Sequence, residues 1–501
     1  MASMPSRTDA LCIGLLLVVG TSLCMQVFAS GKWGARPSTE DEFVYLFQAK
    51  TLAAGRLAYP SPPLPEFFEA AHILVTPRFA AKYLPGHAAV IAPFLAAGAP
   101  WLAPCFLLGA TAAVLFAAGR VAGLSRWAAL LAPILFLANT DVFPFFASYL
   151  SQSTSVAAVA AVAALAIAAD RAPSPARIAA LFAAIVFAGL VRPFAGAAAL
   201  VTGAAVLYRL RHRAPLRTLA WSLPVLFAGA LALGVTCKAT TGSWTTAPWS
   251  LYARQYMPFD GPGVGTMRTL ASERELPPHL RDLQIGFAQS RARHTFARLP
   301  TEAWKRMVLV ARLLPSWLIF LALLGLAWTP IWPAAVFALA FFLLQLTFHF
   351  RAPIYYLEMT PWLYLSTAAG AELVARGVRR LRRPLALGAT VIAGLAALWV
   401  GVGMFTELGP VITRASERAW PYARWEPAFA WLRERHALVF IRYPARWDGN
   451  AELTYNDPDL AHADLVLAID EGERNAALLP YFPDRPAFVL DPVTLKAEQI
   501  R

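Results

Sequence analysis

Three consecutive acids, Glu40-Asp41-Glu42, stand just after the first long apolar run of this 501-residue sequence. That run, residues 11–29, is long enough to cross a bilayer, so the acids are delivered to one membrane surface. They open the segment 41–50, which we predict to be an interfacial helix. A carboxylate held there can accept a proton from a substrate, as a general base does. The alternative is a solvated acidic cap that favours the dipole of the helix.

The segment after the acidic triplet carries further groups that could bind or react. Two more acids follow at Glu66 and Glu69, and a cation stands at Lys82. The ammonium of Lys82 could neutralise a departing phosphate, or it could be an anchor that snorkels to the interface. The histidines His72 and His87 could donate to a phosphate or bind a metal. Neither lies in a cluster with metal-ligand spacing, so ordinary loop histidines are the alternative.

The composition identifies the class of protein that must position these groups. The chain is 58% hydrophobic and 15% charged, whereas a soluble domain has about 25% charged residues. We therefore predict an integral membrane protein with several spans. The net charge of +14 does not indicate nucleic-acid binding, because from residue 407 onward fifteen acids exceed eleven bases and the arginine excess lies beside the spans. The four cysteines lie in apolar runs or at their ends, so no disulfide framework is indicated.

Arginine clusters set the predicted topology. With the first run, about eleven spans are predicted, the others being the apolar runs 102–119, 127–147, 152–169, 178–192, 194–208, 218–237, 307–327, 331–349, 354–374 and 385–406. If the N-terminus is cytoplasmic, every short arginine cluster falls on the same side, fourteen arginines against two aspartates. Basic residues beside spans favour cytoplasmic loops. This registration requires the short apolar stretch 87–97 to be a surface helix.

The same registration leaves three large external regions, 30–101, 238–306 and 407–501. We predict a transmembrane domain over residues 1–406 and a small external α/β domain over 407–501. The latter alternates helix-like pieces at 426–435 and 471–479 with strand-like pieces at 437–443, 464–469 and 486–490, a pattern typical of a compact module.

The first external region resembles that of the GT-C superfamily of polyprenyl-phosphate-sugar glycosyltransferases. Its family 39 branch includes protein O-mannosyltransferases and aminoarabinose transferases. The resemblance rests on Asp41-Glu42 at the start of the interfacial helix and on Lys82-Tyr83-Leu84-Pro85-Gly86, which is similar to a Lys-Pro-Pro turn. It implies that Asp41 is the base and that Lys82 faces the donor phosphate. The sequence departs from the family by lacking a Glu directly before Lys82, which leaves Glu66 and Glu69 as substitutes for a second acid.

Three further groups stand at predicted external membrane edges. They are Arg192-Pro193, His349-Phe350-Arg351 and the following Tyr355-Tyr356 with Glu358. An ionisable group at membrane depth is a functional candidate by default, and snorkelling is the alternative. The complete predicted site comprises Asp41, Glu42 and Glu69 as catalytic residues, Lys82, Arg192, Arg351, His349 and Tyr355 around the donor phosphate, and Tyr45, Glu66, His72, Tyr83 and His87 lining the substrate.

The sequence therefore predicts a polytopic α-helical enzyme of a bacterial inner membrane. It would transfer a sugar, with inversion, from a polyprenyl phosphate to a lipid, glycan or protein acceptor on the external face. No cofactor is predicted with certainty, and the sequence leaves participation of a divalent ion open. Two alternatives come from other classes: a transporter or flippase for a lipid-linked substrate, and a scaffold whose C-terminal module binds a wall component. The sequence shows no internal repeat of the kind that many transporters have.

The predicted topology can be tested with reporter fusions. Fusions after Ser61, Gly261 and Asp448 should all report the external compartment, because each point lies in one of the three predicted external regions. A fusion within 376–380 should report the cytoplasm. A cytoplasmic signal from any of the first three fusions would show that the span assignment is wrong.

Overall fold

The computed structural model describes most of the chain. The described residues are 6–30, 36–265, 272–274, 276–315, 317–380, 420–444, 447–448 and 451–501, with the single residues 402, 406, 409 and 410. The predicted last span, 385–406, therefore lies almost entirely outside the described residues, and so do Arg382 and Arg383 just before it.

Helices dominate the described part. They are α1 (Arg7–Ser30), α2 (Glu40–Ala53), α3 (Gly86–Ala96), α4 (Leu102–Val121), α5 (Arg126–Leu137), α6 (Phe143–Phe146), α7 (Gln152–Arg171), α8 (Pro175–Val191), α9 (Pro193–Leu210), α10 (Leu216–Leu219), α11 (Ser222–Thr241), α12 (Pro248–Tyr256), α13 (Arg281–Ala292), α14 (Leu299–Ala311), α15 (Leu318–Gly325), α16 (Trp332–Gln345), α17 (Thr360–Val378), α18 (Glu426–Arg433) and α19 (Asn475–Leu478). Short 3₁₀ turns lie at Pro65–Phe68, Pro278–Leu280, Phe296–Arg298, Thr329–Ile331, Pro353–Met359, Gly472–Arg474 and Leu479–Tyr481.

The chain is a multi-pass membrane protein, but the predicted count of eleven spans is not confirmed. Within the described residues five helical segments are long and apolar enough to cross a membrane: α1, α4, α7, α9 and the segment Leu216–Thr241. A sixth is possible if α15 and Thr329–Gln345 form one span, although these two pieces are bent by 90°. The predicted run 307–327 is divided, since α14 ends before α15 begins. The shorter apolar helices include α5 and α8.

Glycines allow several of these helices to pack backbone against backbone. A Cβ added at Gly109 of α4 would lie 2.2 Å from the carbonyl oxygen of Leu17 in α1. A Cβ at Gly325 of α15 would lie 1.8 Å from the carbonyl oxygen of Ser366 in α17. Small residues at such crossings permit the close van der Waals contact that drives helix association in lipid.

Strand–strand pairing orders the first external region. Strand β1 (Tyr59–Pro60) and strand β2 (Ile73–Leu74) each pair antiparallel with β3 (Arg78–Ala81), giving the order β1-β3-β2. Both segments predicted to be surface helices are helical, α2 before this sheet and α3 after it. The sheet carries the chain back toward α2, so that Lys82, directly after β3, returns to the side of the acidic triplet.

The C-terminal domain is a four-stranded sheet with short helices. Its strands are β4 (Leu438–Ile441), β5 (Val466–Ile469), β6 (Ala487–Leu490) and β7 (Ala497–Gln499), in the order β5-β4-β6-β7. The first three pair in parallel and β7 is antiparallel. Strands β4, β5 and β6 are fully buried, as expected for parallel strands covered on both faces. The predicted α/β module is confirmed, and β7 was not anticipated.

The C-terminal sheet and the first external region share one hydrophobic core. Val44 and Phe47 of α2 and Phe67 lie in the same buried cluster as Leu438 and Phe440 of β4. The rings of Phe67 and Phe440 meet edge to face with centroids 6.1 Å apart. The C-terminal domain is thus packed against the segment that carries the acidic triplet.

The second external region is fastened to both. The guanidinium of Arg274 donates to Glu69 at 2.6 Å, which joins the second region to the first. His279 lies 2.7 Å from the buried carboxylate of Glu452, which joins it to the C-terminal domain. Tyr443 donates to the same carboxylate at 2.7 Å and stacks on His279. The described parts of the three regions predicted to be external are therefore joined by direct contacts.

The close crossing of α1 and α4 gives a stability prediction. Gly109→Ala should lower stability by about 1–3 kcal/mol, because overpacking forces two backbones apart. The measurement is the unfolding temperature of the purified protein in detergent micelles. Gly14→Ala is the matched control on α1, where an added Cβ meets nothing within 4 Å. Equal unfolding temperatures for the two variants would contradict the packing described.

Candidate functional site

The acidic triplet is held by the N-terminal cap of α2. One oxygen of Glu42 accepts from the backbone amides of Ser38 at 2.8 Å and Thr39 at 3.2 Å. Its other oxygen accepts from the backbone amide of Tyr149 at 2.8 Å. The carboxylate therefore satisfies amides that the first turn leaves unpaired. Glu42 was predicted as catalytic, and in the structure one of its oxygens binds the cap of α2 while the other binds the amide of Tyr149.

Asp41, the middle acid, is the one that meets the other candidate groups. Its side chain is 44% exposed, and the hydroxyl of Tyr83 donates to its Oδ1. The Nε2 atom of His72 lies 3.6 Å from the same oxygen. The ring of Tyr83 stacks on Tyr45 with centroids 4.6 Å apart. The accessible carboxylate of Asp41 thus contacts an aromatic ring, and α2 sets its direction. We call Tyr45, Tyr83, Tyr252 and Tyr355 the aromatic platform.

Lys82 contributes a cation to the same platform. Its ammonium lies 5.2 Å from the ring centre of Tyr83 and 5.1 Å from that of Tyr252. Burial lowers the pKa of Lys82, while the carboxylates of Asp260, Asp41 and Glu40 act in the opposite direction. Positive charge over an aromatic face is favourable because the face carries the negative part of the ring quadrupole.

Asp260 is a site residue that the sequence reading missed. It belongs to the second external region, and its Oδ1 lies 3.3 Å from Nε2 of the buried His349. Burial raises the pKa of Asp260, but the hydrogen bond from His349 and the charge of Lys82 outweigh it and lower the pKa overall. No motif in the sequence distinguishes Asp260 from the other acids of the region 238–306, which are Glu273, Glu275, Asp282 and Glu302.

His72 is buried beside these charges. It adopts a left-handed backbone conformation, with φ of 66°, and its amide donates to the hydroxyl of Tyr252 at 3.0 Å. Burial, together with the nearby ammonium of Lys82, lowers the pKa of its imidazole to about 3, although Asp41 and Asp260 oppose the shift. Its Nδ1 has no hydrogen-bond partner among the described residues. His72 is therefore a neutral imidazole at physiological pH.

Arg192 reaches the platform from the junction of α8 and α9. Its Nε lies 3.0 Å from Glu358, a fully buried acid in the turn before α17. The guanidinium also lies 5.9 Å from the ring centre of Tyr355. Ser151 joins this group to α2, because it accepts from Tyr45 at 2.8 Å and from Arg192 at 3.5 Å. Arg192, Tyr355 and Tyr45 were predicted site residues, and the structure brings them together.

Three other predicted residues are paired elsewhere. The guanidinium of Arg351 donates to both oxygens of Glu302, at 2.9 and 3.0 Å, near the protein surface. Glu69 accepts from Arg274 at 2.6 and 2.8 Å, and Glu66 lies 2.6 Å from Arg474 of the C-terminal domain. These contacts give the three residues partners that fasten the external regions to each other or to the membrane domain.

The remaining predicted residue, His87, is the second residue of α3, and both of its ring nitrogens already have partners. Its two ring nitrogens each lie 2.7 Å from a partner, the hydroxyl of Thr154 and the carbonyl of Tyr149. The ring also meets Tyr45 edge to face, with centroids 4.7 Å apart. His87 thus packs against Tyr45, one of the rings of the platform.

Glu40 faces away from Asp41, toward the C-terminal domain. Burial raises the pKa of Glu40 to about 7, and the carboxylates of Asp41, Glu452 and Asp448 raise it further in the same direction. The three successive acids thus occupy three different environments, since neighbours on a helix point about 100° apart.

The participation of a metal, which the sequence left open, finds no ligand set in the described residues. No group of three or more His, Cys, Asp or Glu side chains there is arranged to hold a metal ion. We therefore place no metal-dependent step on this site.

Comparison with known proteins shows with which solved structures this chain shares its fold. No protein-family model matches the sequence, and no curated protein matches it significantly. Solved structures do match, and they show that this chain shares its fold with an aminoarabinose transferase and an archaeal oligosaccharyltransferase. The resemblance predicted from the motifs at 41–42 and 82–86 is confirmed at this level.

Two of these structures are the following. The aminoarabinose transferase ArnT from Cupriavidus metallidurans, bound to undecaprenyl phosphate, matches with a TM-score of 0.54 and 13% identity, over 96% of this chain and 93% of that chain. The oligosaccharyltransferase from Archaeoglobus fulgidus in its apo form matches with a TM-score of 0.51 and 13% identity. That match covers 84% of this chain and 58% of the other.

The buried imidazole of His72 gives a prediction for the pH dependence of stability. Its pKa is lower in the folded protein, about 3, than in an unfolded chain, about 6.5. The unfolded state therefore binds more protons, and His72 should destabilise the fold progressively as the pH falls below 6.5, by roughly 2 kcal/mol at pH 5. The measurement is the unfolding temperature at pH 7.5 and pH 5.

His72→Gln should show a smaller loss of unfolding temperature between these two pH values than the unmodified protein. His212→Gln is the matched control, because His212 is exposed and its replacement should leave the pH dependence unchanged. A loss in His72→Gln as large as in the unmodified protein would show that the imidazole is not buried in its neutral form.

Proposed function

We propose that this protein is a membrane glycosyltransferase that moves a sugar from a polyprenyl phosphate to an acceptor at the external membrane face. The observation that carries the proposal is the meeting of one accessible carboxylate, Asp41, with the cation Lys82 on a shared aromatic platform. A base beside a phosphate-binding cation is what the reaction needs. The fold supports the proposal, since ArnT, which shares it, was solved with undecaprenyl phosphate bound.

The proposed reaction is a single displacement. A hydroxyl or amine of the acceptor attacks the anomeric carbon from the face opposite to the phosphate, and its proton passes to Asp41 as the new bond forms. The bond between the anomeric carbon and the phosphate oxygen breaks, and the phosphate keeps the electron pair. One displacement inverts the configuration at the anomeric carbon. Asp41 is suited to this role because its carboxylate is accessible while those of Glu42 and Glu69 are engaged.

The cations have the task of stabilising charge on the leaving phosphate. Lys82 is partly withdrawn from water, and charges act more strongly where water is excluded. Burial lowers its pKa, but an approaching phosphate would favour the ammonium form. Arg192 is the second proposed cation, and its existing partner Glu358 fixes the direction of its guanidinium. Arg351 is left out of the proposal because Glu302 binds it near the surface.

The aromatic residues would bind the sugar itself. Tyr83 contacts Asp41 and stacks on Tyr45, Tyr252 lies beside Lys82, and Tyr355 lies beside Arg192. The C–H face of a sugar ring is apolar and packs on aromatic faces, while the phenol hydroxyls offer hydrogen bonds. We propose that these residues hold the sugar with its anomeric carbon between base and cations.

The remaining finer assignments are also proposals. We place the protein in a bacterial inner membrane with a cytoplasmic N-terminus and with the platform on the periplasmic side. The supporting observation is the distribution of the arginines. In this orientation all short arginine clusters lie on the cytoplasmic side, as basic residues beside spans prefer.

The general-base assignment gives a kinetic prediction. Asp41→Asn is nearly isosteric but cannot take up the proton, so it should reduce sugar transfer by about 10²–10⁴-fold, roughly 3–5 kcal/mol. The assay follows radiolabelled sugar from an undecaprenyl-phosphate donor into cell-envelope acceptor, with purified protein in nanodiscs. Asp282→Asn is the matched control, since Asp282 is an exposed acid in the first turn of α13.

A second measurement separates the base from the donor site. Asp41→Asn should keep the affinity for undecaprenyl phosphate, measured by native mass spectrometry, whereas Lys82→Met should weaken it. Transfer at the normal rate in Asp41→Asn would overturn the assignment of the base. Movement of the lipid across the bilayer without sugar transfer by the unmodified protein would favour the flippase alternative.

A further inference from the structure

A cavity separate from the platform lies where the first external region meets the C-terminal domain. Its volume is about 780 Å³, within the range of roughly 300–1,000 Å³ typical of small-molecule sites. One wall is formed by residues 59–63 and Phe79, and the other by His436 and residues 458–463 and 481–485. The wall contains five prolines, at 60, 62, 63, 458 and 483, which restrict the backbone and preform the cavity.

The side chains around this cavity combine aromatic faces with acids and imidazoles. Tyr59 and Tyr481 contribute the rings, and Tyr481 is 57% exposed although it is large and aromatic. Asp459 and Asp484 contribute carboxylates, and His462 lies 3.1 Å from Asp459. Aromatic faces accept the C–H side of a sugar ring, while carboxylates and imidazoles pair with its hydroxyls. A saccharide uses both features at once.

The charge of the cavity narrows the class of saccharide. Arg485 is its one guanidinium among the described lining residues, and it donates to the backbone carbonyls of His436, Ala461 and Ala463. That guanidinium braces the loop around the cavity, and two carboxylates against one guanidinium give the lining a formal net charge of −1, with the imidazoles counted as neutral. A neutral or amino sugar fits this charge, whereas an acidic sugar does not.

The cavity is connected to the platform through one strand. Tyr59 pairs with Phe79 across β1 and β3, and Lys82 follows three residues after Phe79. At about 3.3 Å per residue the two positions are roughly 10 Å apart along the chain. A ring bound at Tyr59 would thus lie only a few sugar residues from the proposed donor phosphate.

We propose that this cavity binds a neutral or amino-sugar unit of a glycan acceptor. The assignment as an acceptor site rests on the proposed glycosyltransferase function, whereas the binding of a saccharide does not. The cavity holds the glycan beside the platform, and the platform performs the transfer. Acceptor recognition is then divided between the cavity and the platform.

The test measures the binding of defined trisaccharides to the full-length protein in nanodiscs, with saturation-transfer NMR as the readout. The probes are chitosan trimer, maltotriose and, as the acidic comparison, galacturonic acid trimer. At least one of the first two should bind, and more tightly than the acidic probe. Tyr481→Ala should weaken that binding at least tenfold and Asp484→Asn should weaken it too. Tyr208→Ala, at another exposed tyrosine, is the matched control and should leave binding unchanged.

The outcomes separate this inference from the proposed function. No binding of either favoured probe at roughly 10 mM, tenfold above a millimolar dissociation constant, would overturn it. So would binding that Tyr481→Ala leaves unchanged, or preference for the acidic trimer. Asp41→Asn should bind the trisaccharide normally even though its sugar transfer is strongly reduced. In the transfer assay Tyr481→Ala should raise KM for a glycan acceptor and leave kcat unchanged, and a fall in kcat alone would contradict the acceptor role.

Discussion

The buried carboxylate of Glu42 is the constraint on which the external face depends. It accepts hydrogen bonds from the amides that precede α2 and from the amide of Tyr149, which lies 107 residues away. One side chain therefore both starts the helix and fastens its first turn to the membrane domain. Because the start of the helix is fixed, the direction of Asp41 is fixed too. Two neighbouring acids therefore differ: Glu42 accepts hydrogen bonds from backbone amides, whereas the carboxylate of Asp41 is accessible.

The two cations of the site lie near acids in surroundings that are partly shielded from water. Lys82 lies within the influence of Asp41 and Asp260, and Arg192 is held by Glu358. Glu358 fixes the direction of the Arg192 guanidinium, whereas Asp41 and Asp260 oppose the lowering of the Lys82 pKa that burial causes. In the proposed reaction, such preorganisation would avoid the cost of turning dipoles. His72, near Asp41 and Lys82, is neutral and adds no charge of its own.

Local pattern was enough to predict much of this architecture. The helices α2 and α3, the C-terminal α/β module and the GT-C fold were predicted correctly, because each follows from periodicity or from a short motif. The division of run 307–327 and the strand pairing of the first region were missed, since both are decided by packing between distant segments. Asp260 was missed for the same reason: nothing near it in sequence indicates that His349 and Lys82 surround it. The roles of the site residues stay predictions.

The shared core of α2 and β4 has a consequence during synthesis of the protein on the ribosome. Lys50 of α2 and its partner Asp457 are 407 residues apart in the chain. At about 5–20 residues per second a ribosome needs roughly 20–80 s to make that stretch. During that interval Val44 and Phe47 lack their packing against β4, although Phe67 and Phe79, which share their cluster, have already been made. The core around α2 is therefore completed only after the C-terminal domain has been synthesised.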